Sequence, residues 1–202
     1  MPDKPLHPDT VVYQICMTKI RDRIGTIQWL QLNGRNSGIA DFLITELTFL
    51  QFRKILELIA YSSLTANRER YAAKHTKFGE HWKAVKMLAD VENVNPHFYP
   101  MAVKPPISTG EGRHHFEPHL TETFTRDDFI RLYDASCELL HMRNPFSAKD
   151  PIVDIGYSVA EWVARIQRLL AWHMVQLENG SRWVVQIPPD GPVHLWPADP
   201  NS

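Results

Sequence analysis

Apolar residues recur at helical intervals through most of this chain. Val12, Ile15, Cys16, Ile20, Ile27 and Leu30 step through 11–32 mostly in threes, fours and sevens, the spacing of one face of an α-helix. Asn33-Gly34-Arg35-Asn36-Ser37-Gly38 supplies a stop, because glycine tolerates the left-handed backbone of a helix C-terminal cap, and Asp41 can cap the next start. The second helix carries Phe42, Leu43, Leu47, Phe49, Leu50, Ile55, Leu56, Leu58 and Ile59, which cover more than one stripe. Apolar residues spread so widely around a helix predict one that is central in the core. The pattern allows it to run on through Asn67-Arg68-Glu69-Arg70-Tyr71 toward His75. A third helix is predicted from Phe78, Trp82, Val85, Leu88 and Ala89, ending before Asn95-Pro96, since proline disfavours helical backbone at the residue before it.

Periodicity then lapses over 95–124, which predicts a long irregular loop. Thr125-Arg126-Asp127-Asp128 resembles a capping box, and Phe129, Leu132, Tyr133, Ser136, Leu140 and Arg143 step along one face of a fourth helix. The fifth shows the cleanest pattern, from Ile155, Val159, Trp162, Val163, Ile166, Leu169 and Leu170 to His173, Met174 and Leu177. After Asn179-Gly180, the runs 183–187 and 193–196 flank a Pro-Pro-Asp-Gly-Pro turn and predict a β-hairpin within 182–197. Two strands alone are marginal, so the hairpin must lean on the helices or on a partner. The expected fold is therefore mainly α: one domain over 1–202, a bundle of about five helices with a short C-terminal β-hairpin, preceded by a flexible leader at 1–9.

Composition narrows the function classes. Lys and Arg total 22 against 23 Asp and Glu, so the chain lacks the basic excess of a protein held to nucleic acid by charge alone. Cys16 and Cys137 form no Cys-x-x-Cys pair and suggest no disulfide framework. The greasy stretches are broken by Glu46, Arg53, Lys54 and Glu57, which argues against a membrane span and for a cytoplasmic protein. There is no Gly-rich phosphate loop and no Gly-x-Ser-x-Gly elbow, so P-loop and α/β-hydrolase chemistry are not expected, nor is a cofactor.

Three clusters could carry chemistry. Arg68 and Arg70 precede His75, and a continuing helix would put Arg68 and His75 about two turns apart on nearly one face. Guanidinium holds phosphate oxygens in a fork and imidazole titrates near neutrality, a pairing suited to phosphodiester chemistry. The same residues also fit a solvated helix end whose cations oppose the helix dipole. His141-Met142-Arg143-Asn144 ends the fourth helix, where Arg143 would face a cleft or an internal carboxylate such as Glu46 or Glu57. His114, His115 and His119, near Glu117, have ligand types that suit a transition metal, or are simply an exposed polar loop. His173 lies on an apolar face and is expected to be a core histidine. Trp82, Trp162, Trp172, Trp183 and Trp196 are expected mostly to pack, with a ligand pocket as the alternative.

The central helix Phe52-Arg53-Lys54-Ile55-Leu56-Glu57-Leu58-Ile59-Ala60, the five-helix pattern and the Arg143-Asn144 pair before the last long helix resemble the HEPN superfamily, over roughly residues 40–178. That resemblance implies a helical bundle that pairs as a homodimer and a metal-independent ribonuclease site at the dimer cleft. The family motif sets a His four to six residues after an Arg. Arg70 and His75 have that spacing, though at the end of the second helix, and no His follows Arg143 until His173. On this reading Arg68 or Arg70 binds the scissile phosphate, His75 is general acid or base, and Arg143, Asn144 and His141 line the cleft around RNA. The alternative is a non-enzymatic, dimerising interaction module that docks a partner protein through its C-terminal hairpin.

Overall fold

Tyr13, Met17, Ile20, Ile24, Ile27 and Leu30 repeat at three- and four-residue steps, and each is buried. Together they make one apolar stripe along α1, Pro8–Asn33. The computed structural model describes residues 8–74, 84–110, 113–142, 146 and 153–198. Helix α1 begins at Pro8, inside the expected flexible leader; proline is tolerated there because a first-turn N–H has no intrahelical partner to lose. A single 3-10 turn, Gly34–Asn36, and Gly38, whose φ of 76° is one that glycine adopts without strain, reverse the chain. Gly34 also lets the turn close on the next helix, since a Cβ there would sit 3.0 Å from Ile44 Cδ1.

Helix α2, Asp41–Ala66, returns along α1. Its buried side, which includes Ile44, Phe49, Phe52, Ile55, Leu56 and Ile59, packs on α1, on α4 (Ala84–Glu92) and on α5 (Arg126–Leu140). It does not run on toward His75. Asn67 leaves the helical region at φ −121°, ψ 20°, and a separate short helix, α3, spans Arg68–Lys74. The expected helix start at Phe78 and Trp82 lies outside the described residues, as does the leader up to residue 7. Helix α5 starts with the expected capping box: Asp128 N donates to Thr125 Oγ1 at 3.1 Å, and Thr125 N donates to Asp128 Oδ2 at 3.0 Å.

Two expectations change. The 95–124 segment contains three short strands: β1 Met101–Ala102, β2 Ile107–Gly110 and β3 Arg113–His115, the last two forming a bulged antiparallel hairpin. The last long helix, α6, stops at Leu170 rather than Leu177, having run from Val159. His173 and Met174 instead belong to strand β4, Trp172–Gln176, and Leu177 follows it. The spacing of 170, 173, 174 and 177 suits a helix, but 173 and 175 also alternate as a strand does. Backbone partners decide between them, because β5 (Arg182–Gln186) pairs with β4 over five positions, from Trp172↔Gln186 to Gln176↔Arg182.

The expected C-terminal hairpin is present as β5 and β6 (His194–Ala198), but as part of a four-stranded antiparallel sheet in the order β1-β4-β5-β6. The architecture is mainly α with this small sheet against the helices. The hairpin leans on α1: Gln14 Nε2 donates to Val193 O at 2.9 Å, and Arg21 Nη1 donates to Pro188 O at 3.2 Å and Gly191 O at 2.6 Å. The inner sheet face sends His173, Val175, Trp183, Val185 and Leu195 into the core. Tyr13 meets Trp183 edge-on, with ring centroids 5.6 Å apart.

His173 is fully buried and both ring nitrogens are engaged, as a core histidine requires. Nε2 is 2.9 Å from the Tyr13 hydroxyl and Nδ1 is 2.9 Å from Leu170 O. A carbonyl can only accept, so Nδ1 carries the proton and the phenol donates to Nε2. Burial pulls the His173 pKa down to about 4, partly opposed by the Leu170 carbonyl. The unfolded chain therefore takes up this proton at a higher pH than the folded one, and the stability held by neutral His173, complete above pH ~6.5, drains as pH falls toward 4. Denaturant unfolding should show a loss of up to about 3 kcal/mol from this group over that window. The loss should be missing from His173→Asn; equal slopes in the two proteins would contradict it.

Candidate functional site

The break at Asn67 positions the first candidate. The Asn67 side chain donates to Ser63 O at 2.8 Å and accepts from Asn95 Nδ2 at 2.8 Å, while Asn95 Nδ2 also donates to Gln176 O at 2.8 Å. These bonds tie the α2–α3 elbow to β4. Buried Tyr71 anchors α3. Between the elbow, the first turn of α1 and the β4–β5 turn lies a cleft of about 230 Å³, lined among others by Asp9, Asn67, Arg68, Glu69, Glu178 and Trp183.

Arg68, expected to bind a phosphate, lines this cleft already paired with a carboxylate. Its Nε lies 2.9 Å from Asp9 Oδ1, and Arg70 Nε lies 3.4 Å from Glu178 Oε2. Among the described residues three carboxylates, Asp9, Glu69 and Glu178, line the cleft against one guanidinium, Arg68. A phosphate entering here would have to displace Asp9 and meet Glu69 and Glu178, so the local charge favours a neutral or cationic group over a polyanion.

The other members of the expected constellation divide between described and undescribed residues. His75, Arg143 and Asn144 lie outside the described residues. The fourth helix is expected to carry His141 and reach Arg143, but α5 stops at Leu140, where His141 turns to extended backbone; His141 is exposed, and its backbone N donates to Cys137 O at 3.1 Å. Of the carboxylates considered as partners for Arg143, Glu57 already binds Lys54 Nζ at 2.8 Å and Arg53 Nε at 3.4 Å. His114 and His115 are successive residues of β3, so their side chains leave opposite sides of the strand. Glu117 is held by Lys104 at 2.7 Å. Among the described residues no three His, Cys, Asp or Glu side chains gather into a set that could hold a metal.

The second candidate is a surface that the sequence pattern assigned to the core. Leu43, Leu47 and Leu50 are 41%, 37% and 37% exposed, on the side of α2 opposite Phe52, Ile55 and Ile59. The turn end of the α1–α2 pair adds Trp29, Leu32, Ile39 and Phe42, all exposed. Counting apolar residues around α2 revealed that it has two apolar faces, but not that the second is left uncovered within one chain. Among the described residues no helix is long and apolar enough to cross a membrane, so a bilayer span does not account for that face.

Removing each elbow arginine should separate structural from free cations. Asp9 is 10% exposed beside Arg68, so Arg68→Ala should cost about 1–2 kcal/mol in chemical denaturation. Arg70→Ala, whose side chain is 53% exposed, should stay within about 0.5 kcal/mol. Equal losses would remove the Asp9 pair as the brace of the elbow. Compared with known proteins, the chain matches no family model, no curated protein and no solved structure, so its function rests on its own residues.

Proposed function

We propose that this protein is a non-enzymatic helical interaction module that self-associates through the outward face of α2. The observation that carries this is the Leu43, Leu47, Leu50 stripe, whose four-then-three spacing is that of a two-helix seam. Trp29, Leu32, Ile39 and Phe42, toward the turn end of the same helix pair, are exposed apolar residues as well. Lys54 and Glu57, the next residues along the stripe, are paired at 2.8 Å, with Arg53 on the other carboxylate oxygen. Two copies related by a twofold axis could therefore meet without burying unpaired charge at this position, which makes a second copy of the chain the occupant the surface suits best. On this reading the docking surface is the outward face of α2 and not the C-terminal hairpin, part of which packs on α1.

Leu47→Glu should convert a dimer to a monomer in light scattering coupled to gel filtration, with helical content unchanged because position 47 faces outward within one chain. Wild-type protein that is monomeric at high micromolar concentration, or a Leu47→Glu protein that still dimerises, would end the reading.

The HEPN-like ribonuclease is the second reading, and one observation favours it: Arg68, seven positions before His75, lines the elbow cleft. It requires that guanidinium to exchange Asp9 for a scissile phosphate. Labelled RNA incubated without metal should then be cut by wild-type protein and at least a hundredfold more slowly by His75→Ala, in line with the ~10²–10⁴-fold that a general acid or base contributes. No cleavage, or equal cleavage by both, would leave the interaction module alone.

A further inference from the structure

The outward face of the sheet carries an aromatic ladder that neither core packing nor the α2 stripe uses. Side chains alternate along a strand, and the registers Met174↔Val184↔Trp196 and Trp172↔Gln186↔His194 put these residues on one side, opposite the core-facing His173, Val175, Val185 and Leu195. On that side Trp172 and Trp196 stack with ring centroids 6.0 Å apart and planes 8° from parallel. His194 stacks on Trp196 at 5.5 Å and 18°. Three nearly parallel rings from β4 and β6 therefore reach across the intervening β5. Trp196 remains 45% exposed, and His194 and Arg182 are exposed as well.

We propose that this face binds single-stranded nucleic acid, stacking unpaired bases on the exposed rings of Trp196 and His194, with half-buried Trp172 backing Trp196, while Arg182 holds a phosphate. Planar rings presented in parallel recognise other planar rings, and every base has a π-face. Charge selects among planar or flat ligands. The described outward positions of β4, β5 and β6 are Trp172, Met174, Gln176, Arg182, Val184, Gln186, His194, Trp196 and Ala198, which include one guanidinium and one imidazole but no carboxylate. A phosphodiester fits that balance, whereas an ammonium ligand would call for acidic neighbours. Arg182 pairs with Ala198, two positions along β6 from Trp196, so a phosphate beside a stacked base lies within its reach. Duplexes keep their bases stacked on each other and offer this ladder little. The binding is independent of self-association, because the ladder and the α2 stripe lie on different elements.

The test is titration of full-length protein with 12-nucleotide oligouridylate and oligothymidylate, a 12-base-pair duplex and a linear glucose oligosaccharide, read by tryptophan quenching and by anisotropy of labelled strands. Both single strands should bind. Trp196→Ala should weaken them about tenfold or more, as expected for one lost stacked base, and Trp196→Phe should restore much of the affinity. The logarithm of affinity should fall with the logarithm of salt at a slope near −1, the signature of one or two phosphate contacts, and Arg182→Ala should flatten it. Leu47→Glu should bind as wild type does, so failure of self-association and failure of base stacking are distinguishable. Absence of single-strand binding, equal or tighter duplex binding, an unchanged Trp196→Ala or preference for the oligosaccharide would each overturn the proposal.

Discussion

The helices and the sheet meet at a fully buried polar contact, the phenol of Tyr13 against the imidazole of His173, and the seating of α1 on the sheet depends on it. His173 sits three residues after Leu170, whose carbonyl accepts from Nδ1, so the ring is fixed where α6 gives way to β4. That leaves Nε2 needing a donor in a place water does not reach, and α1 supplies it from its second turn. Around this point Tyr13 packs edge-on to Trp183, Gln14 holds Val193, and Arg21 holds the β5–β6 turn. A rotation of α1 that exposed Tyr13 would unpair the imidazole and strip the hairpin of its support together.

Around the helices most of the described arginines are paired with a nearby carboxylate. Arg68 belongs to Asp9, Arg70 to Glu178, Arg53 and Lys54 to Glu57, Arg126 to Glu92, and Arg165 to Asp128. Guanidinium groups so engaged stabilise elbows and helix packing, and each must shed a carboxylate before it can serve a ligand. This is why the elbow cleft, which has the right residue types for phosphate, does not have the right balance. The outward sheet face has fewer cations, but no carboxylate on the described positions of β4, β5 and β6 competes for them.

Helix α2 explains how an apolar pattern can point to an exposed place. Apolar positions spread around a helix record how many there are, not which of them its own chain covers. Here α1, α4 and α5 cover one side, while Leu43, Leu47 and Leu50 remain on the other. The stripe is opposite the core rather than beside it, so no modest repacking of the same helices would bury it.

Local signals determined much of this protein. The helix start at Arg126, the Thr125–Asp128 cap, the turn at 33–38, the boundary before Asn95-Pro96 and the C-terminal hairpin all depend on residues within a few positions of one another, and the structure has them, whereas Asp41, expected as a cap, is the first residue of α2 behind Ala40, which makes no side-chain cap. A helix-breaking side-chain bond can also be local, but nothing in Asn67 announces that its amide will bridge to Asn95 and so end α2. Tertiary partners decided what spacing left ambiguous. The backbone of β5 turned 172–176 into a strand, β4 recruited Met101 and Ala102 from an apparent loop, and Asp9 and Glu178 neutralised the arginines that looked free for phosphate. The physical reason is the same in each case: periodicity records which side chains avoid water, while hydrogen-bond and ion-pair partners lie on other elements, from 6 positions away for Gln176 and Arg182 to 108 for Arg70 and Glu178.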